Sequence, residues 1–171
     1  VRRIMQAVEK QEKILVYGDY DVDGTTAVAI VSLFLDYYQH PYEYYLPDRY
    51  KEGYGVSTQG INYAAECGAK LLITLDCGIK SVDMVQYALE KGVETIICDH
   101  HLPGPELPPA VAVLDPKKST CPYPCKDLTG CGIGFKLVQA LIPEFAKIYT
   151  EVPVFQLQDY ADLITLSIAC D

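Results

Sequence analysis

Three short apolar runs constrain the possible folds of this chain more than any other feature of its sequence. They span residues 13–17, 71–75 and 93–98, and none shows the regular polar alternation of a strand with one wet face. Helix-length segments separate them. Strands of this kind occur in parallel sheets that are covered on both faces. The sequence therefore predicts an α/β fold, with a doubly wound, mainly parallel sheet and helices on both faces.

The remaining segments fit a single domain spanning residues 1–171, because no repeat, low-complexity tract or Ser/Gly-rich linker divides the chain. Dense prolines predict an ordered surface loop over residues 101–128. The chain starts without Met and stops directly after an apolar run, so we expect a piece of a longer protein. Periodicity and length predict further strands at 42–46 and 111–114, and helices at 25–38, 57–66, 81–91, 133–142 and 155–169.

Composition limits the functional classes. The chain has 14 Lys and Arg against 23 Asp and Glu, a net charge of −9, which weighs against a simple basic clamp on nucleic acid. Its seven cysteines, an odd number in apolar surroundings, fit a reducing compartment better than a disulfide framework. No apolar stretch reaches the roughly 18–20 residues that a membrane span needs. We therefore expect a cytoplasmic protein without a membrane partner.

Acidic and imidazole side chains follow all three apolar runs, at the point where each predicted strand ends. In an open parallel sheet the carboxyl ends of the strands share one edge, and ligands bind there near a switch in strand order. We therefore expect these side chains to be neighbours in space. They are Asp19, Asp21 and Asp23 after the first run, Asp76 after the second, and Asp99, His100 and His101 after the third.

So many carboxylates in a small volume repel one another unless a cation is present. Oxygen ligands with one or two imidazoles suit Mn²⁺ or Mg²⁺ better than a metal that selects thiolates. A carboxylate shared by two such ions, about 3.5–4 Å apart, is typical of sites that hydrolyse phosphoesters. The sequence therefore predicts a two-metal phosphoesterase site.

Parts of this pattern have other interpretations. A calcium loop beginning at Asp19 needs Glu as its twelfth residue, and Ile30 stands there. Residues 99–101 alone fit a helix cap with two solvated imidazoles, although two further acidic strand ends favour a site. The cysteines within residues 121–131 lack the second matching pair of a structural zinc site.

Several segments, in order, resemble a known family. Residues 18–24 (GDYDVDG), 76–78 (DCG), 99–101 (DHH) and the C-terminal YADLITLSIACD are similar to motifs I to IV of the DHH phosphoesterase superfamily. Three further segments resemble the RecJ-type single-strand-specific exonucleases within it: LPDRYKEGYG at 46–55, LDPKKSTCPYP at 114–124 and GCGIGFKL at 130–137. The resemblance spans essentially the whole chain.

This resemblance implies an exonuclease that degrades single-stranded DNA 5′→3′ to mononucleotides with Mn²⁺ or Mg²⁺, in recombination and repair. It implies that Asp99 orients an imidazole or a metal-bound water, and that His101 contacts the scissile phosphate, with Asp76 bridging the ions. The implied ligands of one metal ion are Asp19, Asp21 and Asp76, and those of the other are Asp23, Asp76, His100 and Asp171.

Four cations are candidates for gripping the DNA backbone, although isolated Lys and Arg are commonly just surface residues. They are Arg49, Lys80, Lys117 and Lys136, of which Arg49 is favoured by its aromatic neighbours. The resemblance further implies C-terminal domains that bind the strand and are missing here, so we expect the fragment alone to be weak or inactive. A helicase or single-strand-binding protein is an expected repair partner.

Two other functions remain open. A second kind of DHH hydrolase acts on short oligonucleotides, cyclic dinucleotides or pyrophosphate, and the three RecJ-like segments count against it. A non-catalytic relative that serves as a replication scaffold would have lost motif carboxylates, whereas all of them are present in this chain.

Overall fold

The computed structural model describes residues 1–171 and contains one sheet of five parallel strands. Its strand order is β2-β1-β3-β4-β5, so the order reverses next to β1. In the register of the central pair, Ile14 lies opposite Leu71 and Gly18 opposite Leu75. The predicted α/β fold is therefore confirmed. The strands are β1 (Ile14–Gly18), β2 (Tyr42–Tyr45), β3 (Leu71–Leu75), β4 (Glu94–Cys98) and β5 (Ala112–Leu114).

Helices cover both faces of this sheet. The strand β1 is buried throughout and alternates between two cores, with Ile14 and Val16 in the larger core and Leu15 and Tyr17 in the smaller. Helices α1, α2 and α5 pack in the larger core, and α3 and α4 in the smaller. The bounds are α1 (Arg2–Glu9), α2 (Val22–Tyr37), α3 (Thr58–Glu66), α4 (Val82–Glu90), α5 (Gly130–Ile148), a 3-10 turn (Leu157–Tyr160) and α6 (Ala161–Cys170).

Four helices differ from the sequence prediction. Helix α6 begins at Ala161 rather than at 155, because residues 157–160 form a separate 3-10 turn. Helix α2 begins three residues earlier than expected, because the Asp21 side chain accepts a hydrogen bond from Gly24 N–H and caps it. Helix α5 begins at Gly130 rather than 133, capped by Thr129, and continues through Pro143 to Ile148 because its apolar face is buried in the larger core. Helix α1 was not predicted.

The cysteines form no disulfide bond, and the proline-rich segment has little regular secondary structure. All seven cysteines are free thiols, and none belongs to a group of side chains spaced for a metal ion. Residues 101–128 contain only the short strand β5. No helix combines the length and the hydropathy that crossing a membrane would require.

Candidate metal centre

The loop after β1 brings three carboxylates to the carboxyl edge of the sheet. Asp19 and Asp23 are buried, at 2% and 3% exposure, whereas Asp21 is exposed and holds the end of α2 through its Oδ1. Gly24 permits this tight turn, since a Cβ there would lie 2.5 Å from the Asp19 carbonyl oxygen. A larger residue would push the loop away from the cluster.

Asp76 follows β3 and lies at the centre of the site. Its φ is +61°, in the left-handed region that Asp and Asn tolerate better than most residues. The side chain is 2% exposed and packs against the first turn of α5, where a Cβ on Gly130 would lie 2.5 Å from Asp76 Cβ. The glycine therefore allows the helix to approach the carboxylate.

His100 follows β4 and faces three carboxylates. Its Nε2 lies 3.0 Å from Asp76 Oδ1 and 3.6 Å from Asp23 Oδ2, and its Nδ1 lies 3.9 Å from Asp171 Oδ2. The hydrogen bond with Asp76, opposed by burial, raises the pKa of His100. His100 thus joins the acidic loop after β1 to the end of α6.

Asp99 and His101 form a second pair beside this cluster. Asp99 Oδ1 lies 2.7 Å from His101 Nδ1 and accepts the His100 backbone N–H at 2.7 Å, while Oδ2 accepts Ile79 N–H at 2.9 Å. Burial alone would raise the pKa of Asp99, but these hydrogen bonds hold it below its ordinary value. The hydrogen bond between His101 Nδ1 and Asp99 Oδ1 raises the pKa of His101. Asp99 therefore fixes the His101 ring and favours its protonated form.

The side chains gather into three groups whose ligand atoms lie within 4.8 Å of one another. Asp19 Oδ1 is buried without a hydrogen-bond partner, and the buried Asp76 Oδ1 has only His100 Nε2, at 3.0 Å, beside it. Burial raises the pKa of Asp19 to about 6 and, with the neighbouring carboxylates, that of Asp76 to about 7. Oxygen donors without partners fit hard divalent cations. The groups are Asp19–Asp21–Asp76, Asp76–His100–His101 and Asp23–His100–Asp171.

Comparison with known proteins fits this geometry. Residues 13–168 match the DHH family, N-terminal domain. The chain belongs to this family. This DHH domain is 46% identical to the single-stranded-DNA-specific exonuclease RecJ of Bacillus subtilis over 142 residues. The aligned residues cover 83% of this chain and 18% of that protein. It is 37% identical to RecJ of Haemophilus influenzae over 174 residues, covering 100% of this chain and 30% of that protein.

A solved structure shares the fold of this DHH domain. It is a crystal structure of exonuclease RecJ bound to manganese, with a TM-score of 0.82 and 32% sequence identity. The likeness covers 98% of this chain and 41% of that one. The DHH domain therefore spans less than half the length of the RecJ proteins that it matches.

The loop between β2 and α3 contacts the site through His101. Tyr54 OH on this loop lies 3.1 Å from His101 Nδ1 and 3.3 Å from its Nε2. Glu52 holds the loop from within: Oε1 accepts Asp48 N–H at 2.8 Å, and Oε2 accepts the Tyr45 hydroxyl at 2.9 Å and the Ser57 hydroxyl at 2.5 Å. Neither Glu52 nor Tyr54 was predicted from the sequence to make these contacts.

The four candidate cations occupy different places. The guanidinium carbon of Arg49 lies 5.3 Å from the centre of the Tyr20 ring, within the loop that bears the first carboxylates. Lys80 lines a cavity of about 220 Å³ together with Tyr54, Asp99 and His101.

The other two cations occupy different places: Lys117 follows β5 at the carboxyl edge of the sheet, and Lys136 lies on α5. Lys117 donates its backbone N–H to Asp115 Oδ1 at the end of β5. Lys136 lines a separate apolar cavity with Cys121 and Leu128. The structure thus does not bring Lys136 into the cavity that contains His101.

The amino end of α5 is a part of the site that sequence reasoning missed. Asp23 Oδ2 accepts the Gly130 N–H at 2.6 Å, and Oδ1 accepts the Cys131 N–H at 2.7 Å and the Ser167 hydroxyl at 2.7 Å. Free N–H groups at the first turn of a helix favour a negative charge. Thr129 before a glycine-rich run was the available signal, because Thr is a favoured helix cap.

Proposed function

We propose that this DHH domain is the catalytic domain of a RecJ-type enzyme that hydrolyses single-stranded DNA 5′→3′ to mononucleotides in recombination and repair. The observation that carries the proposal is the meeting of six carboxylates and two imidazoles at one sheet edge, in a chain 46% identical to an exonuclease of that name. The site lies at the carboxyl ends of the strands, next to the reversal of strand order, where such folds bind ligands.

The residues suit two Mn²⁺ or Mg²⁺ ions. We assign Asp19, Asp21 and Asp76 to one ion, supported by their spacing and by Asp19 Oδ1, which is buried without a hydrogen-bond partner. Such a pair of ions supplies an activated water and stabilises the charge that develops on the phosphate oxygens. A similar solved structure, that of an exonuclease RecJ, is bound to manganese, which supports the choice of ion. The other ion is assigned to Asp23, Asp76, His100 and Asp171.

The protein's own groups provide the remaining chemistry. Asp99 faces His101 Nδ1 at 2.7 Å, so Nε2, which has the Tyr54 hydroxyl 3.3 Å away, is the nitrogen available to contact the scissile phosphate or a leaving oxygen. The hydrogen bond with Asp99 raises the pKa of His101 and so favours the protonated ring as a proton donor. Lys80 and Tyr54 line the cavity beside it and are placed to bind a phosphate, while Arg49 lies by the acidic loop.

Digestion of labelled DNA by the full natural chain tests this function. We expect Mn²⁺-dependent release of mononucleotides from single-stranded DNA labelled at its 5′ end, no release from duplex DNA, and loss of release with chelator or in Asp76→Asn. A faster reaction on dinucleotides than on long strands would favour the short-oligonucleotide hydrolase. Absence of any hydrolysis would favour the scaffold.

We infer a cytoplasmic location from the seven free thiols, which suit a reducing compartment. A helicase or single-strand-binding protein as a repair partner stays a prediction. Co-purification of the natural chain from cells with and without nuclease treatment is the measurement that bears on it.

A further inference from the structure

Helix α6 docks on the domain in an unusual way. Seven of the ten residues in its sequence ADLITLSIAC are apolar, yet its one buried residue is Ser167, which is 0% exposed. Leu166 and Ile168 on either side are 50% and 65% exposed. Burying a hydroxyl is unfavourable unless its hydrogen bonds are satisfied. Leu163 and Ile164 are partly buried and pack against the larger core, so they hold the helix on the domain, while the polar partners of Ser167 satisfy and orient its buried hydroxyl.

Those partners form a chain of hydrogen bonds that ends on a proposed metal ligand. The Ser167 hydroxyl lies 2.7 Å from Asp23 Oδ1 and 2.5 Å from the Thr129 hydroxyl oxygen. The carboxylate only accepts, so the single Ser167 proton goes to Asp23 and Thr129 donates to Ser167. Thr129 in turn accepts the Gly132 N–H at 3.0 Å, which caps α5.

The bond from Ser167 completes the fixation of Asp23. Together with the N–H groups of Gly130 and Cys131, it gives this carboxylate three donors from two helices. A carboxylate held from two sides keeps one rotamer, and of its roughly four lone-pair sites only one, on Oδ2, remains free to face another group. His100 Nε2 lies 3.6 Å from Asp23 Oδ2.

Ser167 also sets the place of the last acidic residue. Asp171 lies four residues after Ser167, and its N–H donates to the Ser167 carbonyl at 3.0 Å, so both side chains lie on one face of the helix. Asp171 Oδ2 lies 3.9 Å from His100 Nδ1, and its side chain is 43% exposed. Being exposed, Asp171 has little packing of its own to hold it and depends on the anchoring of α6.

We propose that Ser167 is a positioning residue for one of the two metal ions, because it holds Asp23 and Asp171 in register around His100. This inference rests on the proposed function. It assigns the hydroxyl a task that alanine, of nearly the same size, cannot perform. The ion bound by Asp19, Asp21 and Asp76 receives no contact from Ser167 and serves as an internal reference.

Calorimetric titration of the full natural chain with Mn²⁺ tests the proposal. Asp19→Asn and Asp171→Asn identify the two ions by removing a ligand from each. We expect Ser167→Ala to lower the Mn²⁺ affinity about 10–100-fold at one site only, the site whose affinity Asp171→Asn also lowers. Thr165→Ala is the matched control, because its hydroxyl lies on the same helix and bonds only to the Ala161 carbonyl. Ser167→Thr, which keeps the hydroxyl, should retain more affinity than Ser167→Ala.

Other results would overturn the proposal. Unchanged affinity for both ions in Ser167→Ala, or an equal loss at both ions with a lower melting temperature in chelator, would reduce Ser167 to a structural contact. Ser167→Cys, nearly isosteric and a weak donor, gives the same comparison where the alanine variant does not fold. Absence of Mn²⁺ binding to the unsubstituted protein would overturn the proposed function and this inference together.

Discussion

Replacing the central carboxylate with an amide should stabilise the metal-free protein. Asp76 is 2% exposed, and burial together with the nearby carboxylates raises its pKa to about 7, although His100 opposes the shift. Asn is the suitable substitution, because it tolerates the φ of +61° at this position and nearly matches the carboxyl in shape. Alanine would add backbone strain to the electrostatic change.

The sign and size of the effect follow from the pKa of Asp76. Its folded value of about 7 exceeds the ordinary 3.8, so the proton favours folding. That contribution is complete below the ordinary value and is lost as the pH rises through 7. Between pH 5 and pH 8 the unsubstituted protein should lose about 2–3 kcal/mol that Asp76→Asn does not lose. For a chain of this length, this corresponds to roughly 5–10 °C in melting temperature.

Thermal unfolding in chelator at pH 5 and pH 8 measures this difference. The advantage of Asp76→Asn over the unsubstituted protein should grow with pH, whereas the exposed Asp127→Asn should show no such trend. Added Mn²⁺ at about 100 times its Kd should raise the stability of the unsubstituted protein by about 2.7 kcal/mol for each ion bound and leave Asp76→Asn nearly unchanged. If Asp76→Asn is equally destabilised at both pH values, burial does not penalise this carboxylate and the reasoning is refuted.

Three further substitutions test other contacts of the site. Gly130→Ala should cost about 1–3 kcal/mol in unfolding free energy, because the added Cβ would lie 2.5 Å from Asp76 Cβ, and unchanged urea unfolding would contradict this packing. Asp99→Asn should lower the pKa of His101 in an NMR titration of the imidazole and reduce nuclease activity about 10–100-fold. A His101 titration that does not move would show that Asp99 is not the cause of the raised pKa. Glu52→Ala removes the hydrogen bonds of the Glu52 carboxylate and should loosen the loop between β2 and α3. We expect KM for single-stranded DNA to rise about tenfold, while Mn²⁺ affinity stays constant. A matching loss of Mn²⁺ affinity would instead place Glu52 in support of the metal site.

The strands and the edge that carries the site were predictable from the sequence. Apolar strands and the residues that follow them are local patterns, and parallel pairing brings their carboxyl ends together regardless of side-chain detail. The groups containing Asp76 and His100 therefore lie where the sequence predicted.

The parts that the sequence did not predict depend on distant packing. The sequence predicted α5 only from residue 133, and glycine in general disfavours helices, yet the structure needs Gly130 at the start of this helix to bring it against Asp76. Lys136 was a candidate for DNA contact, but nothing local determines which cavity its part of α5 adjoins. Ser167 is one of several small polar residues, and only the fold shows that it meets Asp23.

The three hydrogen bonds that hold Asp23, here called its clamp, come from Gly130, Cys131 and Ser167. They affect the order in which the domain folds. The clamp joins Asp23 to Gly130, 107 positions away, and to Ser167, 144 positions away. Contacts of such sequence separation form late in folding, because the entropy cost of closing a long loop comes before the contacts stabilise the chain. A growing chain that has completed only β1 and α2 exposes acidic groups without this clamp. Unlike a zinc finger, whose metal organises the fold, this domain must bring α2, α5 and α6 together before the proposed metal ligand Asp23 is held in place.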